Sequence, residues 1–283
     1  MDSGKAEQGL GTGIEDALVA LVRQVAQAEI LPRFRRLDAA GVSAKTAPDD
    51  LVTEADTAAE AALTAGVRRI LPDALVVGEE AVSADPGVLE RIGGDLVVIL
   101  DPVDGTWNFA SGVAVFGVIL AVTVRGRCVF GLLYDPVMDD WVMARPGGGA
   151  WFCREGAAPQ RLSVSREADP AAMTGFVPVF MFPDARRAAA AEAMLGFRRA
   201  TTFRCSCHEY RLLAQGRVDF LVNGGLNAWD HAAGELCVRE AGGAALMLDG
   251  RAYDATLTEG TLVAGNDAAT VAMLRDRFGP VLG

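Results

Sequence analysis

Five consecutive apolar residues, Leu96-Val97-Val98-Ile99-Leu100, constrain this chain more than any other stretch. A strand with one wet face alternates apolar and polar side chains, whereas an unbroken apolar run is a strand covered on both faces. The run demands a sheet with layers on either side, and it ends at Asp101-Pro102, a turn-like pair. Around it, Val113–Val124, Cys128–Tyr134 and Asp140–Ala144 read as an antiparallel meander, with turns at Arg125-Gly126-Arg127 and Asp135-Pro136. Upstream, Ile14–Ala40 has helical spacing interrupted at Pro32, Thr57–Ile70 is a second helix stopped by Leu71-Pro72, and Ala74–Val77 is a short strand.

The second half alternates helices and strands. Helices are expected at Asp184–Leu195, His208–Ala214, Asp230–Ala241 and Ala268–Phe278, and strands at Ala200–Phe203, Val218–Val222, Ala245–Leu248 and Thr261–Ala264. This predicts an α+β half joined to an α/β half. The expected organisation is a flexible N-terminus over 1–12, a first half over 13–150 and a second over 151–283, packed as one unit, with the junction near the Gly-rich segment between 145 and 165.

Composition narrows the function. Of 283 residues, 26 are Lys or Arg and 37 Asp or Glu, a net charge of −11, which argues against a nucleic-acid surface. The 51% of hydrophobic residues excludes disorder and supports a sizeable core. Five scattered cysteines without a CxxC read as free thiols in a reducing compartment. The polar start and the lack of an apolar run of about 18 residues predict a cytoplasmic protein with no membrane contact. Two histidines make a multi-histidine zinc site improbable, and the serine-hydrolase elbow, the P-loop and the dinucleotide fingerprint are missing. Cys205 and Arg211 have the C-x5-R spacing of a cysteine phosphatase, but the loop lacks glycine and holds Glu209, so buried thiols at a helix start are the better reading.

What remains is acidic. Glu79 follows a short strand, Asp101 and Asp104 follow the most apolar strand, Asp230 opens a helix, and Asp56 enters another. Singly, each has an ordinary explanation: a solvated loop, an Asp-Pro turn, a charge at a helix N-terminus, or a capping box from Thr53 to Asp56. If they converge at strand ends, the carboxylates cannot all ionise without cations, and hard oxygen donors suit Mg²⁺, with Mn²⁺ able to substitute. Such ions serve phosphate monoester hydrolysis. Gly105 and Thr106 offer amides to phosphate, the Thr106 hydroxyl can orient a water, and Asp56 can accept from that hydroxyl.

At these residues the chain resembles the inositol monophosphatase family of Mg²⁺-dependent, lithium-sensitive phosphatases. The motifs are Asp50-Leu51-Val52-Thr53-Glu54-Ala55-Asp56, Gly78-Glu79-Glu80, Asp101-Pro102-Val103-Asp104-Gly105-Thr106, and Trp229-Asp230-His231-Ala232-Ala233-Gly234 running to Gly242-Gly243. The resemblance implies a layered αβαβα sandwich of the sugar-phosphatase type and a homodimer. It also implies Glu79, Asp101 and the Val103 carbonyl as ligands of one Mg²⁺, and Asp101, Asp104 and Asp230 as ligands of a second. A third ion would sit near Glu79. Asp56, Thr106 and Glu79 would prepare the water, and the Gly105 and Thr106 amides would hold phosphate. Lys45 matches a lysine on the family's mobile loop. The alcohol side departs from the family: Asn223 stands where inositol-specific members carry glutamate, and Cys205-Ser206-Cys207-His208-Glu209 replaces a small-residue segment. The expected substrate is therefore a small phosphorylated metabolite, whether an inositol-phosphate-like ester, a sugar or polyol phosphate or a histidinol-type phosphate. His208 and Asn223 are candidates for its alcohol side. The alternative is a protein of this fold kept for a protein partner, since some family members associate with transcription machinery.

Overall fold

The structure, a computed structural model, describes residues 10–36, 42–44 and 51–283. Helix α1 (Thr12–Val25) passes into a single π-turn (Ala26–Ile30), so the helix predicted to continue to Ala40 gives way before Pro32. The segment expected to be flexible over 1–12 lies outside the described residues up to 9; Leu10 is already buried and Thr12 begins α1. Strands β1 (Val42–Ala44) and β2 (Leu51–Thr53) pair antiparallel and lead into α2 (Glu54–Ile70). Then come β3 (Leu75–Gly78), α3 (Glu79–Ala84), β4 (Val97–Asp104), α4 (Thr106–Ala110), β5 (Gly117–Val124), β6 (Arg127–Asp135), β7 (Asp140–Arg145), β8 (Gly149–Arg154) and β9 (Gln160–Arg161). The remainder is β10 (Thr174–Phe176), α5 (Asp184–Met194), β11 (Arg199–Thr201), α6 (Ser206–Ala214), β12 (Phe220–Asn223), α7 (Ala228–Glu240), β13 (Ala244–Met247), β14 (Leu262–Gly265) and α8 (Ala268–Leu282).

Strands β3 to β9 form one sheet in sequence order, antiparallel except for the parallel β3–β4 pair. This sheet runs on through Arg161, past the expected boundary at 150, because the Gly-rich segment is a hairpin between β7 and β8 rather than a junction. The second sheet has the order β11-β10-β12-β14-β13, with its first three strands parallel.

The pleat of β4 organises the core. Its eight residues are all buried, and alternate side chains serve opposite layers. Val98 and Leu100 pack with Leu18 and Val22 of α1 and Ala59 and Leu63 of α2. Val97 and Ile99 pack with Cys207 and Tyr210 of α6 and Leu236 of α7, whose other sides meet Leu221 and Ala264 of the second sheet. The far face of that sheet, Phe220, Val222 and Val263, is covered by Ala190 of α5 and Val271, Leu274 and Phe278 of α8. The order is helix, sheet, helix, sheet, helix: the αβαβα sandwich.

Candidate metal and phosphate site

Strand β4 does not stop at Asp101. It continues to Asp104 and changes register on the way: Asp101 faces Ile119 and Asp104 faces Gly117, three steps on β4 against two on β5. Residues three apart on a regular strand point to opposite faces; one extra residue re-aims the later side chain. The irregularity thereby lets Asp101 and Asp104 share a site with Asp230, in the first turn of α7. One carboxylate oxygen from each of the three lies within 4.8 Å of the others. Glu79, the first residue of α3, lines the same cavity. It is set by Glu60 of α2, whose two oxygens accept from the amides of Glu80 and Ala81 at 2.8 Å each. Gly78 allows that approach, since a Cβ there would meet the Glu60 carboxylate carbon at 2.3 Å.

These carboxylates resist ionisation together. Burial, then the charges of Glu79, Asp104 and Asp230, hold Asp101 well above the ordinary range; burial, then Asp104 and Glu79, do the same for Asp230. Asp104 is pushed up to about 6 by burial, although it accepts from the Cys207 amide and lies 3.2 Å from the Cys205 thiol. The donor set fits divalent cations: all-oxygen, mutually repelling carboxylates, Asp101 and Asp104 buried and Asp230 and Glu79 half-buried, that a charge of +2 would relieve. Val103 is buried between them on the same strand.

Asp56 is bonded on both of its oxygens beside this cluster. Thr53 caps α2 with a full capping box: its hydroxyl accepts from the Ala55 amide at 3.1 Å, and its own amide and hydroxyl donate to Asp56 Oδ2. The other oxygen of Asp56 receives the Thr106 hydroxyl at 3.0 Å, and that hydroxyl also lies 3.0 Å from the Val103 carbonyl oxygen. One oxygen of Asp56 thus serves the cap, and the other meets the Thr106 hydroxyl. Burial pushes Asp56 up to about 6, with Glu79 adding to the rise and the Thr53 bonds opposing it. Gly105 takes φ 86°, the left-handed conformation, where a Cβ would meet the Val115 carbonyl oxygen at 2.9 Å. Only a residue without a side chain fits the turn that carries the chain from Asp104 past the cavity wall.

The alcohol side is mixed. Asn223, at the end of β12, is buried and lines the cavity. His208 does not: its Nε2 lies 3.0 Å from the Phe116 carbonyl oxygen, and burial lowers its pKa. Helix α6 is sandwiched between two sheets, so residue 208 faces β5 and β6 while its neighbours Cys205 and Ser206 face the cavity. Lys45 and Asp50 lie outside the described residues. Arg211 is nowhere near a phosphate loop; it is buried against Asp140 and the Leu133 carbonyl, and burial raises the Cys205 thiol well above its usual range.

Sequence reasoning missed the supports. Tyr210 donates to His231 Nδ1 at 2.9 Å, and the other ring nitrogen faces the Gly225 carbonyl, which fixes a neutral tautomer, with burial lowering the His231 pKa to about 4. The pair anchors the first turn of α7 next to Asp230. The one signal for His231 was its polarity inside an alanine-rich helix; Tyr210 on α6 gave none.

With cations absent, the raised carboxylates have a sign that can be measured. Between the ordinary carboxylate value of 3.8 and the folded values, about 6 for Asp56 and Asp104, the folded state binds more protons than the unfolded one. Stability from these groups is present at low pH and is lost as pH rises through about 6. We expect the gain in melting temperature at one fixed Mg²⁺ concentration to be larger at about pH 8 than at about pH 5; a concentration a hundredfold above Kd stabilises the fold by about 2.7 kcal/mol. Thermal scans at both pH values check it; an equal or larger gain at the acid end rejects the reading.

The family model described as the inositol monophosphatase family matches residues 13–277. The chain belongs to that family. It is 34% identical over 251 residues to the Nus factor SuhB of Escherichia coli (strain K12), covering 87% of this chain and 88% of that one. It is 30% identical over 240 residues to a fructose-1,6-bisphosphatase/inositol-1-monophosphatase of Thermotoga maritima, covering 85% and 87%. The solved structure of a Thermotoga maritima IMPase superposes with a TM-score of 0.77 at 26% identity, covering 93% of this chain and 95% of that one. Family members are generally metal-dependent, in keeping with the acidic cluster. No helix among the described residues is long and apolar enough to cross a membrane.

Proposed function

We propose that this family member is a Mg²⁺-dependent phosphomonoesterase acting on a small phosphorylated metabolite, as a homodimer in the cytoplasm. The observation that carries the reading is the convergence of Asp101, Asp104 and Asp230 within 4.8 Å in a cavity that also holds Glu79 and Thr106. Glu79, Asp101 and the Val103 carbonyl would hold one Mg²⁺, Asp101, Asp104 and Asp230 a second, with a weaker third near Glu79. When bound, the ions supply positive charge to the phosphate oxygens and lower the pKa of nearby water.

The chain's own groups orient and exchange protons. By donating to Asp56 at 3.0 Å, the Thr106 hydroxyl leaves its lone pairs to accept from the attacking water. Asp56, pushed up to about 6, is matched to take a proton near neutral pH, and Glu79 lines the same cavity. The Gly105 and Thr106 amides hold the phosphate oxygens. Water attacks phosphorus, the bond to the ester oxygen breaks, the leaving oxygen takes a proton from water in the cavity, and the products are inorganic phosphate and the alcohol.

The name Nus factor on the Escherichia coli relative favours a second reading, a protein kept for a protein partner. The complete set of buried carboxylates favours hydrolysis, since a partner-binding surface has no use for their mutual repulsion. Phosphate release across a panel of metabolite esters, with Mg²⁺ and with chelator, separates the two. We expect turnover that vanishes with chelator; turnover indifferent to Mg²⁺, or none across the panel alongside capture of a partner protein, refutes the proposal.

A further inference from the structure

The first turn of α1 buries a carboxylate that is only half partnered. Glu15 is 3% exposed, and its Oε2 accepts from Arg145 of β7 at 2.7 Å. Its other oxygen, Oε1, is buried and has no hydrogen-bond partner among the described residues. The dipole of α1 favours an acid at this end of the helix, but an exposed acid would serve it equally well. A buried oxygen left without a donor costs about 1–3 kcal/mol. Arg145 could have taken both oxygens through its fork; it takes one, from a side chain that is 42% exposed.

Glu15 also lines a cavity of about 210 Å³. The sequence makes room for it on the first sheet. Helix α1 packs against β6, while β7 and β8 carry the sheet further. Burial alternates along β7, with Met143 and Arg145 half-buried on one face. Phe130 of β6, Met143, Trp151 of β8 and Pro159 supply apolar walls. The Trp151 indole donates to the Gly148 carbonyl at 2.9 Å, which holds its ring in the hairpin. None of the lining residues belongs to the cavity that holds the carboxylate cluster.

We infer that this cavity is a binding site for a small amine with an apolar body, whose ammonium group donates to Glu15 Oε1 while the body lies against Phe130, Met143 and Trp151. A hydrogen bond between two charged groups is the strongest that Oε1 can receive, and aromatic walls favour a cation as well. Arg145 repels that cation weakly, because solvent screens an exposed guanidinium. The size limits the body to about one ring and a short chain, since a cavity of about 150 Å³ already accepts benzene. A carboxylate ligand would meet the Glu15 charge and is excluded.

Phenethylamine is the probe, with phenethyl alcohol and hydrocinnamate as its neutral and anionic counterparts. Calorimetric titration of the full chain shows the amine binding, the alcohol binding about tenfold more weakly, and the carboxylate not binding. Glu15→Gln, which keeps the shape of the side chain, removes the advantage of the amine and leaves the affinity for the alcohol as it was. Trp151→Leu weakens amine and alcohol alike. Melting temperatures confirm that both variants are folded; should Glu15→Gln not fold, the three ligands on the wild type and on Trp151→Leu decide. An amine that binds the wild type no better than the alcohol, or does not bind at millimolar concentration, overturns the inference. Amine binding that survives both substitutions unchanged overturns it too.

Discussion

Asp101→Asn lowers kcat/KM by about 10³-fold or more, while the metal-free variant melts at a higher temperature than the metal-free wild type. The activity loss corresponds to about 4 kcal/mol of transition-state stabilisation, the scale expected when an anionic ligand to a catalytic cation is lost. Asparagine keeps the shape and the oxygen that accepts from the Val103 amide at 3.1 Å, so the strand end has no reason to move. What it removes is a fully buried charge facing Glu79, Asp104 and Asp230, whose repulsion raises the Asp101 pKa. Relief of that repulsion stabilises the metal-free fold at neutral pH, where the wild type must either ionise or hold a proton. Mg²⁺ should then raise the melting temperature of the variant less than that of the wild type. Phosphate release and paired thermal scans decide it. Full activity would remove Asp101 from the metal set, and a lower metal-free melting temperature would make it a structural residue.

The opposite signs of those two effects show which parts of this molecule could be read from sequence. Asp101, Asp104, Glu79 and Asp230 were legible because each sits at a local punctuation mark, a strand end or a helix start. The bulge that brings Asp101 and Asp104 to one site was not. A strand buried on both faces has no alternation, so an extra residue leaves no trace in the pattern. Strands β8 and β9 were not read either: the glycines before β8 drew attention as a junction, and they turn the chain from β7 into β8. On α6 the error was one of direction: a helix packed between two sheets has no polar stripe, so nothing in the sequence told that His208 turns to the Phe116 carbonyl while Ser206 lines the cavity, as Asn223 of β12 does. Asp56, read as either a capping residue or an acceptor for Thr106, makes both sets of bonds, one with each carboxylate oxygen.

Arg211→Ala should be the most destabilising substitution outside the carboxylate site, at about 3 kcal/mol. Arg211 is buried in α6 and reaches back to the first sheet, donating to the Leu133 carbonyl at 2.8 Å, to the Asp140 carbonyl at 3.3 Å, and to the Asp140 carboxylate. Truncation leaves two buried carbonyl oxygens short of a donor and takes away the inner partner of Asp140. Arg154 still meets the other Asp140 oxygen at 2.8 Å, which keeps the loss at the lower end of the range for a broken buried pair. For a chain of this size about 3 kcal/mol is a drop of about 6–12 °C in melting temperature. The consequence travels to the metal site, because the first turn of α6 supplies the Cys207 amide that Asp104 accepts. A helix loosened from the sheet holds Asp104 less firmly, so the Mg²⁺ concentration for half-maximal turnover rises, whereas Arg211→Lys, which retains the charge but not the forked geometry, falls between. Calorimetry together with a Mg²⁺ titration of activity tests both halves. Melting within about a degree of the wild type would show that Arg154 alone satisfies Asp140. A normal Mg²⁺ requirement in a destabilised variant would show that α6 holds Asp104 without the help of its far end.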